Sequence, residues 1–275
     1  MSSTEERDGL NGHFSVIVTL ADDFSSVRTD VELARKVVRT YVRARPASLL
    51  TDAVRWVASG NAQSIELRFR ETKVTWRPGA YQVTLDAFRL VDVVARAVAD
   101  EPPSSVLDVG CGSGVVGIAL VGELRGAVMR ADFLDVNEAS LALCRENTRE
   151  IATSVSTRFF SSDFGAWHSG TVHDLVVSNP PYFPSGSIGP DGGRLTMSDE
   201  LGLYSSLVNA VGVVTNRLIL TRSEAFADEV DNIIAARPDV MQRRLASWRV
   251  PIPANLVDEA FRHRFSSRAG SEYEL

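Results

Sequence analysis

Lysine is almost missing from this 275-residue chain: Lys36 and Lys73 are the only two, so nearly all of its positive charge is arginine. That skew reads as coding composition and not as a functional signal. Acidic residues outnumber basic ones 35 to 29, giving a net charge of −6 and a pI near 5.3. Such a balance provides no overall attraction to a polyanion, so nucleic acid is disfavoured as a partner, although an acidic protein can still carry a local basic face. Cysteine is scarce too. Cys111 and Cys144 cannot assemble a disulfide framework or a zinc cluster, and both read as small buried residues. No apolar run approaches the roughly 20 residues of a membrane span. The N-terminus, Met1-Ser2-Ser3-Thr4-Glu5-Glu6, lacks the basic and apolar regions of a signal peptide. A cytoplasmic protein without a membrane partner is expected.

What is present is enough apolar residue, 44%, to bury at least one full core. Residues 1–13 are polar and read as a disordered tail, and order is expected to begin at Phe14. From Asp30 to Arg45 the residues Val31, Leu33, Ala34, Val37, Val38 and Tyr41 fall at helical spacing, with Pro46 as a stop, which predicts a helix. Leu49–Ala58 reads as a second helix. Ser64–Phe69 and Lys73–Trp76 alternate apolar with polar residues, as the arms of a β-hairpin do. Residues 14–80 thus form a small α+β N-terminal module.

Phe88, Leu90, Val91, Val94 and Val98 predict a helix that ends before Pro102-Pro103. Beyond it the strands Ser105–Val109, Ala127–Leu134, Asp174–Ser178 and Arg217–Thr221 alternate with helical stretches at Val115–Leu124, Glu138–Asn147 and Leu203–Val211. This alternation implies a doubly wound, Rossmann-like α/β sheet over residues 81–275. The segment after Arg237, with Pro251 and Pro253, gives no clear pattern.

Chemistry enters at Val106-Leu107-Asp108-Val109-Gly110-Cys111-Gly112-Ser113-Gly114, a strand that runs into a glycine turn and then a helix. Glycines let the backbone approach a ligand closely, and ligands in such folds bind beyond the carboxyl ends of the strands. A dinucleotide fingerprint would read G-x-G-x-x-G. Here the glycines alternate strictly and Asp108 stands two residues before the first, which suits a cationic amino-acid moiety better than a diphosphate. A second carboxylate is then expected at the end of the next strand to accept both hydroxyls of a ribose. Asp135 fits that place, with Asp132 as its structural competitor. Ser162-Asp163-Phe164 offers a carboxylate for an exocyclic amine and a ring for an adenine face, though Phe164 reads equally well as core.

Asn179-Pro180-Pro181-Tyr182 follows the strand Asp174–Ser178 directly. Two prolines stiffen the loop, so the Asn179 side-chain oxygen and the Pro180 carbonyl can be fixed as paired acceptors for a planar NH₂ group, on which Tyr182 could stack. Accepting both N–H bonds orients a delocalised lone pair towards an electrophile. The glycine-rich Ser185–Arg194 stretch beside it reads as a mobile lid or as a plain surface loop.

Together, Asp108-x-Gly110-x-Gly112-x-Gly114, Asp135, Asp163-Phe164 and Asn179-Pro180-Pro181-Tyr182 resemble the ordered motifs of class I S-adenosylmethionine-dependent methyltransferases, over residues 78 to 223. The likeness is to the group that holds release-factor glutamine, ribosomal RNA guanine-N2 and adenine-N6 methyltransferases, which share an N-P-P-[YF] loop. Pro78-Gly79-Ala80-Tyr81 and Leu85-Asp86 resemble the segment that lies over the cofactor in this group. The resemblance implies S-adenosylmethionine as cofactor. Asp108, Gly110, Gly112 and Gly114 would hold its methionine portion, Asp135 its ribose, and Asp163 and Phe164 its adenine. Asn179, Pro180 and Tyr182 would hold the acceptor nitrogen, with Tyr81, Pro181 and Phe183 on the substrate side. The arginine-proline-glutamate-threonine element expected of release-factor enzymes is absent at Val83-Thr84-Leu85-Asp86, which weighs against a glutamine substrate.

The implied reaction is an in-line displacement that needs neither a metal nor a dedicated base, so none of His13, His168, His173 and His263 is assigned to catalysis. The expected acceptor is an amide or amine of a small molecule or protein side chain. An RNA or DNA base is the alternative, and it would need a basic face such as Arg35, Arg39, Arg43 and Arg45. A cofactor-consuming cyclase and a cofactor-binding module without catalysis are further readings.

Overall fold

The computed structural model describes residues 14–20, 27–33, 36–38, 53–54, 57–59, 63–81, 83–167, 170–180, 200–222, 227–251 and 272–274. Two five-stranded sheets carry these residues. The first contains β1 (Phe14–Leu20), β2 (Val27–Leu33), β3 (Lys36–Val38), β4 (Ser64–Phe69) and β5 (Thr72–Trp76), in the order β3-β2-β1-β4-β5. Only the β1–β4 pair is parallel. The predicted hairpin is present as β4 and β5, closed by the two-residue turn Arg70-Glu71.

The helix expected from Asp30 to Arg45 is not formed where the chain is described, since Val27–Leu33 and Lys36–Val38 are strands. The apolar residues Val31, Leu33, Val37 and Val38 fit either period over so short a window. Five of the ten residues in β2 and β3 are valine or threonine, and β2 finds a seven-residue antiparallel partner in β1. Pairing with a neighbour overrode helical spacing. Of the second predicted helix, residues 53–54 and 57–58 are helical.

The second sheet is built from β6 (Ser105–Val109), β7 (Arg130–Asp135), β8 (Ser156–Ser161), β9 (Leu175–Ser178) and β10 (Leu218–Leu220). All its pairs are parallel, in the order β10-β9-β6-β7-β8. Every residue of β6 and β9 is buried, as central parallel strands covered on both faces must be. The chain runs outward from β6 through β7 to β8, then returns across β6 to β9 and β10. The order therefore reverses between β6 and β9, the place where open α/β sheets leave a crevice for ligands.

Helices α1 (Leu85–Ala97), α2 (Val115–Glu123) and α3 (Glu138–Asn147) connect or flank these strands. α1 buries Leu85, Phe88, Leu90, Val91 and Val94 on one stripe. α2 is apolar all round and buried from Val115 to Val121 because it packs against α1, β5, β6 and β7. α4 (Glu200–Asn209) and α5 (Ala227–Ala235) pack against each other. One hydrophobic cluster passes from Val18, Ile65 and Trp76 of the first sheet through Phe88 and Val91 of α1 to Val106, Phe133 and Val177 of the second. At the end of the chain β11 (Arg249–Pro251) pairs with β12 (Glu272–Glu274), and the Trp248 indole donates to Asp86 Oδ1 at 3.3 Å. Among the described residues no helix is long and apolar enough to cross a membrane.

Candidate cofactor and acceptor site

At the switch point, β6 ends in the glycine turn. Gly110, Gly112 and Gly114 all have positive φ, at 68°, 54° and 85°. The turn is tied to the end of β7 by hydrogen bonds from the amides of Gly110 and Cys111 to the Leu134 carbonyl, 2.8 and 3.1 Å. Gly114 is needed twice over. An added Cβ there would stand 2.6 Å from Cys144 Sγ and 3.0 Å from Ile118 Cδ1, so this glycine lets α3 pack against the start of α2. At Gly112 an added Cβ would meet nothing within 4 Å. Its positive φ and the open space before it form a cradle that a side chain would fill and a ligand can enter.

Asp108 lies under this turn, 2% exposed, and its Oδ2 accepts the Gly117 amide at 2.8 Å. Burial pushes its carboxyl up to about 7 against the lowering effect of that bond. Asp135 ends β7, where the ribose-binding carboxylate is expected. Its Oδ2 accepts the Gly112 amide and its Oδ1 the Asn137 amide, both at 2.8 Å. Burial raises this carboxyl too, over the opposing amide bonds. Each carboxylate oxygen has a second lone pair, so these bonds fix its orientation without exhausting it as an acceptor.

Asn137 caps α3, accepting from the amides of Ala139 and Ser140 at 2.9 and 3.2 Å, and its side chain donates to the Gly79 carbonyl at 3.4 Å. The Tyr81 amide donates to Ser140 Oγ at 3.2 Å. The Pro78–Tyr81 segment is thereby held over the start of α3, next to Asp135. Asn147, at the other end of α3, donates to the carbonyls of Thr75 and Ser113, both at 2.9 Å, and so joins β5 to the glycine turn. Sequence reasoning missed Asn147, because nothing local marks a residue whose partners lie 72 and 34 positions away.

Asp163 is exposed, and its Oδ1 accepts the Gly165 amide at 2.8 Å as the cap of the short 3₁₀ turn Phe164–Ala166. Phe164 takes the core placement: it is 6% exposed, clustered with Leu107, Val109 and Leu134, and stacked on Trp167 at 6.0 Å. Asp132, the competitor of Asp135, is fully buried in the middle of β7. It receives the Arg158 guanidinium at 3.0 and 2.5 Å, with His173 Nε2 at 2.7 Å. Burial alone would raise its carboxyl, but His173 and Arg158 together hold it below the usual range. Its surroundings are those of a structural ion cluster.

Asn179 follows β9 on the other side of the switch point and is half-buried, and Pro180 is buried. Asn179 Oδ1, the expected acceptor of a substrate N–H, accepts the Thr221 hydroxyl at 2.5 Å. Beside it Ser178 Oγ donates to the Val109 carbonyl at 2.8 Å, so the ends of β6, β9 and β10 are joined in a row. Pro181, Tyr182, Phe183 and the expected lid at Ser185–Arg194 lie outside the described residues, as do Arg35, Arg39, Arg43 and Arg45.

Comparison with known proteins agrees with the motifs. Residues 90–189 match the methyltransferase small domain family. The release factor glutamine methyltransferase of Bacteroides thetaiotaomicron is 35% identical over 108 residues, which are 38% of this chain and 36% of that protein. The ribosomal protein L11 methyltransferase of Rhodopseudomonas palustris is 30% identical over 190 residues, 63% of this chain and 60% of that one. The tRNA1(Val) (adenine(37)-N6)-methyltransferase of Aeromonas salmonicida is 34% identical over 135 residues, 46% of this chain and 54% of that one. This chain spans only about a third of the length of the release-factor relatives. One of the three relatives is by name a tRNA methyltransferase, so the expectation that acidic charge disfavours nucleic acid finds no support. The match to the methyltransferase small domain family runs from Leu90 through the glycine turn to the Asn179 loop, the same stretch that holds the strand-end carboxylates Asp108 and Asp135.

Proposed function

We propose that the protein is an S-adenosylmethionine-dependent N-methyltransferase acting on an amide or amine nitrogen of a protein side chain or small molecule. The observation that carries this reading is the position of the Asn179 carboxamide. It stands at the carboxyl end of β9, across the switch point from the glycine turn that ends β6. The residues present fit the cofactor. Gly112 faces open space, and Asp135 is oriented by two amides while keeping lone pairs for a diol. Asp108 and the turn would take the methionine portion and Asp163 the exocyclic amine of the adenine. Phe164, being packed in the core, would offer no more than an edge.

When bound, S-adenosylmethionine supplies an electrophilic methyl on a sulfonium. The chain's own residues would do the rest by positioning. Asn179 Oδ1 and the Pro180 carbonyl would accept the two N–H bonds of a planar nitrogen and turn its lone pair towards that methyl, and Tyr182 is the motif residue proposed to stack on it. Holding two reactants in line supplies much of the barrier reduction in such a displacement.

The likeness to a tRNA adenine-N6 methyltransferase favours a second reading, in which the nitrogen is the exocyclic amine of an RNA base. The same pair of acceptors serves both. Titration calorimetry of the wild type and Asp135→Ala with S-adenosylmethionine tests the cofactor site, and binding in the first but not the second is expected. Mass spectrometry after incubation with cofactor alone, with a glutamine-containing peptide, or with an adenine-containing RNA hairpin then separates the acceptors. A wild type that does not bind S-adenosylmethionine overturns the proposal. Methylthioadenosine formed without any acceptor would replace it with cyclisation.

A further inference from the structure

We propose that Thr221 is a positioning residue: its hydroxyl donates to the Asn179 carboxamide oxygen and holds that side chain in one orientation beside the acceptor. The role rests on the reading of Asn179 as the group that accepts the substrate N–H. A carboxamide at a strand end can rotate and can present either its oxygen or its NH₂, and the two have opposite hydrogen-bonding character. Only the oxygen can accept an acceptor's N–H, so a rotated Asn179 would repel the group it has to bind.

The Thr221 hydroxyl donates to Asn179 Oδ1 at 2.5 Å. One lone pair of the oxygen is thereby engaged and the other is left for the substrate. Thr221 is itself held through both its amide and its carbonyl. It is 4% exposed, its amide donates to the Ser178 carbonyl at 3.2 Å, and its carbonyl accepts the hydroxyl of Tyr204 at 3.2 Å. Tyr204 is buried on α4 beside Leu220 and Val230, and burial pushes its phenol above the ordinary range, which keeps it a donor. The next residue, Arg222, is paired with Asp231 of α5. Two helices thus fix the backbone of Thr221, and Thr221 in turn fixes a side chain on the neighbouring strand. A hydroxyl so buried costs free energy unless it is satisfied, and Asn179 Oδ1 is its partner.

Two variants of the full chain separate this role from mere packing. Thr221→Ser keeps the hydroxyl and loses a methyl, whereas Thr221→Val keeps the shape and loses the hydroxyl. The readouts are ¹⁵N relaxation of the Asn179 side-chain NH₂ and calorimetric titration with S-adenosylmethionine. In the wild type and Thr221→Ser the NH₂ group is expected to be as restrained as the backbone, and in Thr221→Val to move freely on the nanosecond timescale. Cofactor affinity should stay within about twofold in all three, since the hydroxyl's partner is Asn179 and not one of the residues proposed to hold the cofactor. Should Thr221→Val fail to fold, Thr221→Ala gives the same comparison.

An Asn179 amide that is mobile in the wild type, or equally restrained without the hydroxyl, overturns the positioning role. A wild type with a fixed Asn179 that does not bind S-adenosylmethionine overturns instead the methyltransferase reading on which the role depends.

Discussion

At the scale of single residues, the glycine turn shows that one backbone conformation can serve two purposes. Gly112 and Gly114 both sit in the left-handed region, where a side chain costs about 1–2 kcal/mol. They differ in what lies ahead of them. Gly114→Ala must push Cys144 aside, so it is expected to lower the melting temperature more, with a total cost of about 2–4 kcal/mol. Gly112→Ala meets open space and should cost only the backbone strain while abolishing S-adenosylmethionine binding. Thermal denaturation and calorimetry on the two variants check this, and equal melting temperatures would contradict it.

Asp108 carries a second prediction. Its carboxyl stands at about 7 because it is buried. A carboxyl raised above its unfolded value adds stability that is complete below the ordinary carboxylate range and is lost as pH rises through about 7. The proposed partner of its ionised form is the cofactor's ammonium, so the dependence of binding has the opposite sign. Affinity for S-adenosylmethionine should weaken as pH falls below 7, by up to about tenfold per pH unit. Asp108→Asn should bind weakly at every pH and lose this dependence.

At the scale of elements, the sheet contains an ion cluster that the proposed chemistry does not use. Asp132 on β7, Arg158 on β8 and His173 at the entry to β9 meet within hydrogen-bonding distance. Asp132 and His173 are fully buried. Asp132→Ala leaves the buried imidazole without its carboxylate, while the Arg158 guanidinium stays open to water, and is expected to cost about 1–3 kcal/mol, with S-adenosylmethionine affinity of the folded fraction unchanged. The lowered carboxyl of Asp132 contributes stability that is present above the unfolded carboxylate value and lost as pH falls through its folded one. Urea denaturation at several pH values should show this acid-side loss in the wild type and not in the variant.

The same cluster indicates what could be read from the chain. The strands β6, β7, β9 and β10 were legible because buried parallel strands are short valine- and leucine-rich runs between helical periods, and Asp108, Asp135 and Asn179 are each at or next to a strand end. Asp132 against Asp135 could be ranked by position alone, since Asp132 lies mid-strand and Asp135 at the end. The strands β2 and β3 were misread because apolar spacing at Val31, Leu33, Val37 and Val38 does not reveal a pairing partner. Thr221, Asn147 and the Asp132–His173 contact were illegible for a related reason. Each joins residues 34 to 72 positions apart, and only the folded sheet brings them together.

At the scale of the whole molecule, contacts on both sides of residue 80 join the first sheet to the helices of the second. Trp76, the last residue of β5, is completely buried, and its indole donates to the carbonyls of Ala80 and Tyr81 at 3.2 and 3.0 Å. Nearby, Arg70 lies over Phe69 at 4.6 Å and reaches Asp92 of α1 and Glu123 of α2 at 3.0 and 2.8 Å. Phe69 meets Phe88 of α1 at 5.2 Å. A core continuous through these contacts should unfold as one unit, so a single calorimetric transition is expected for the full chain, and two resolved transitions would separate the sheets. Trp76→Ala should remove about 3–5 kcal/mol, lowering the transition by about 6–20 °C for a chain of this size. The loss of Trp76 also frees the Ala80–Tyr81 backbone above Asp135. The variant, measured below its own transition, should therefore bind S-adenosylmethionine more weakly than the wild type, although no atom of Trp76 belongs to the proposed site. Unchanged affinity would mean that the segment over α3 is held by Asn137 and Ser140 alone.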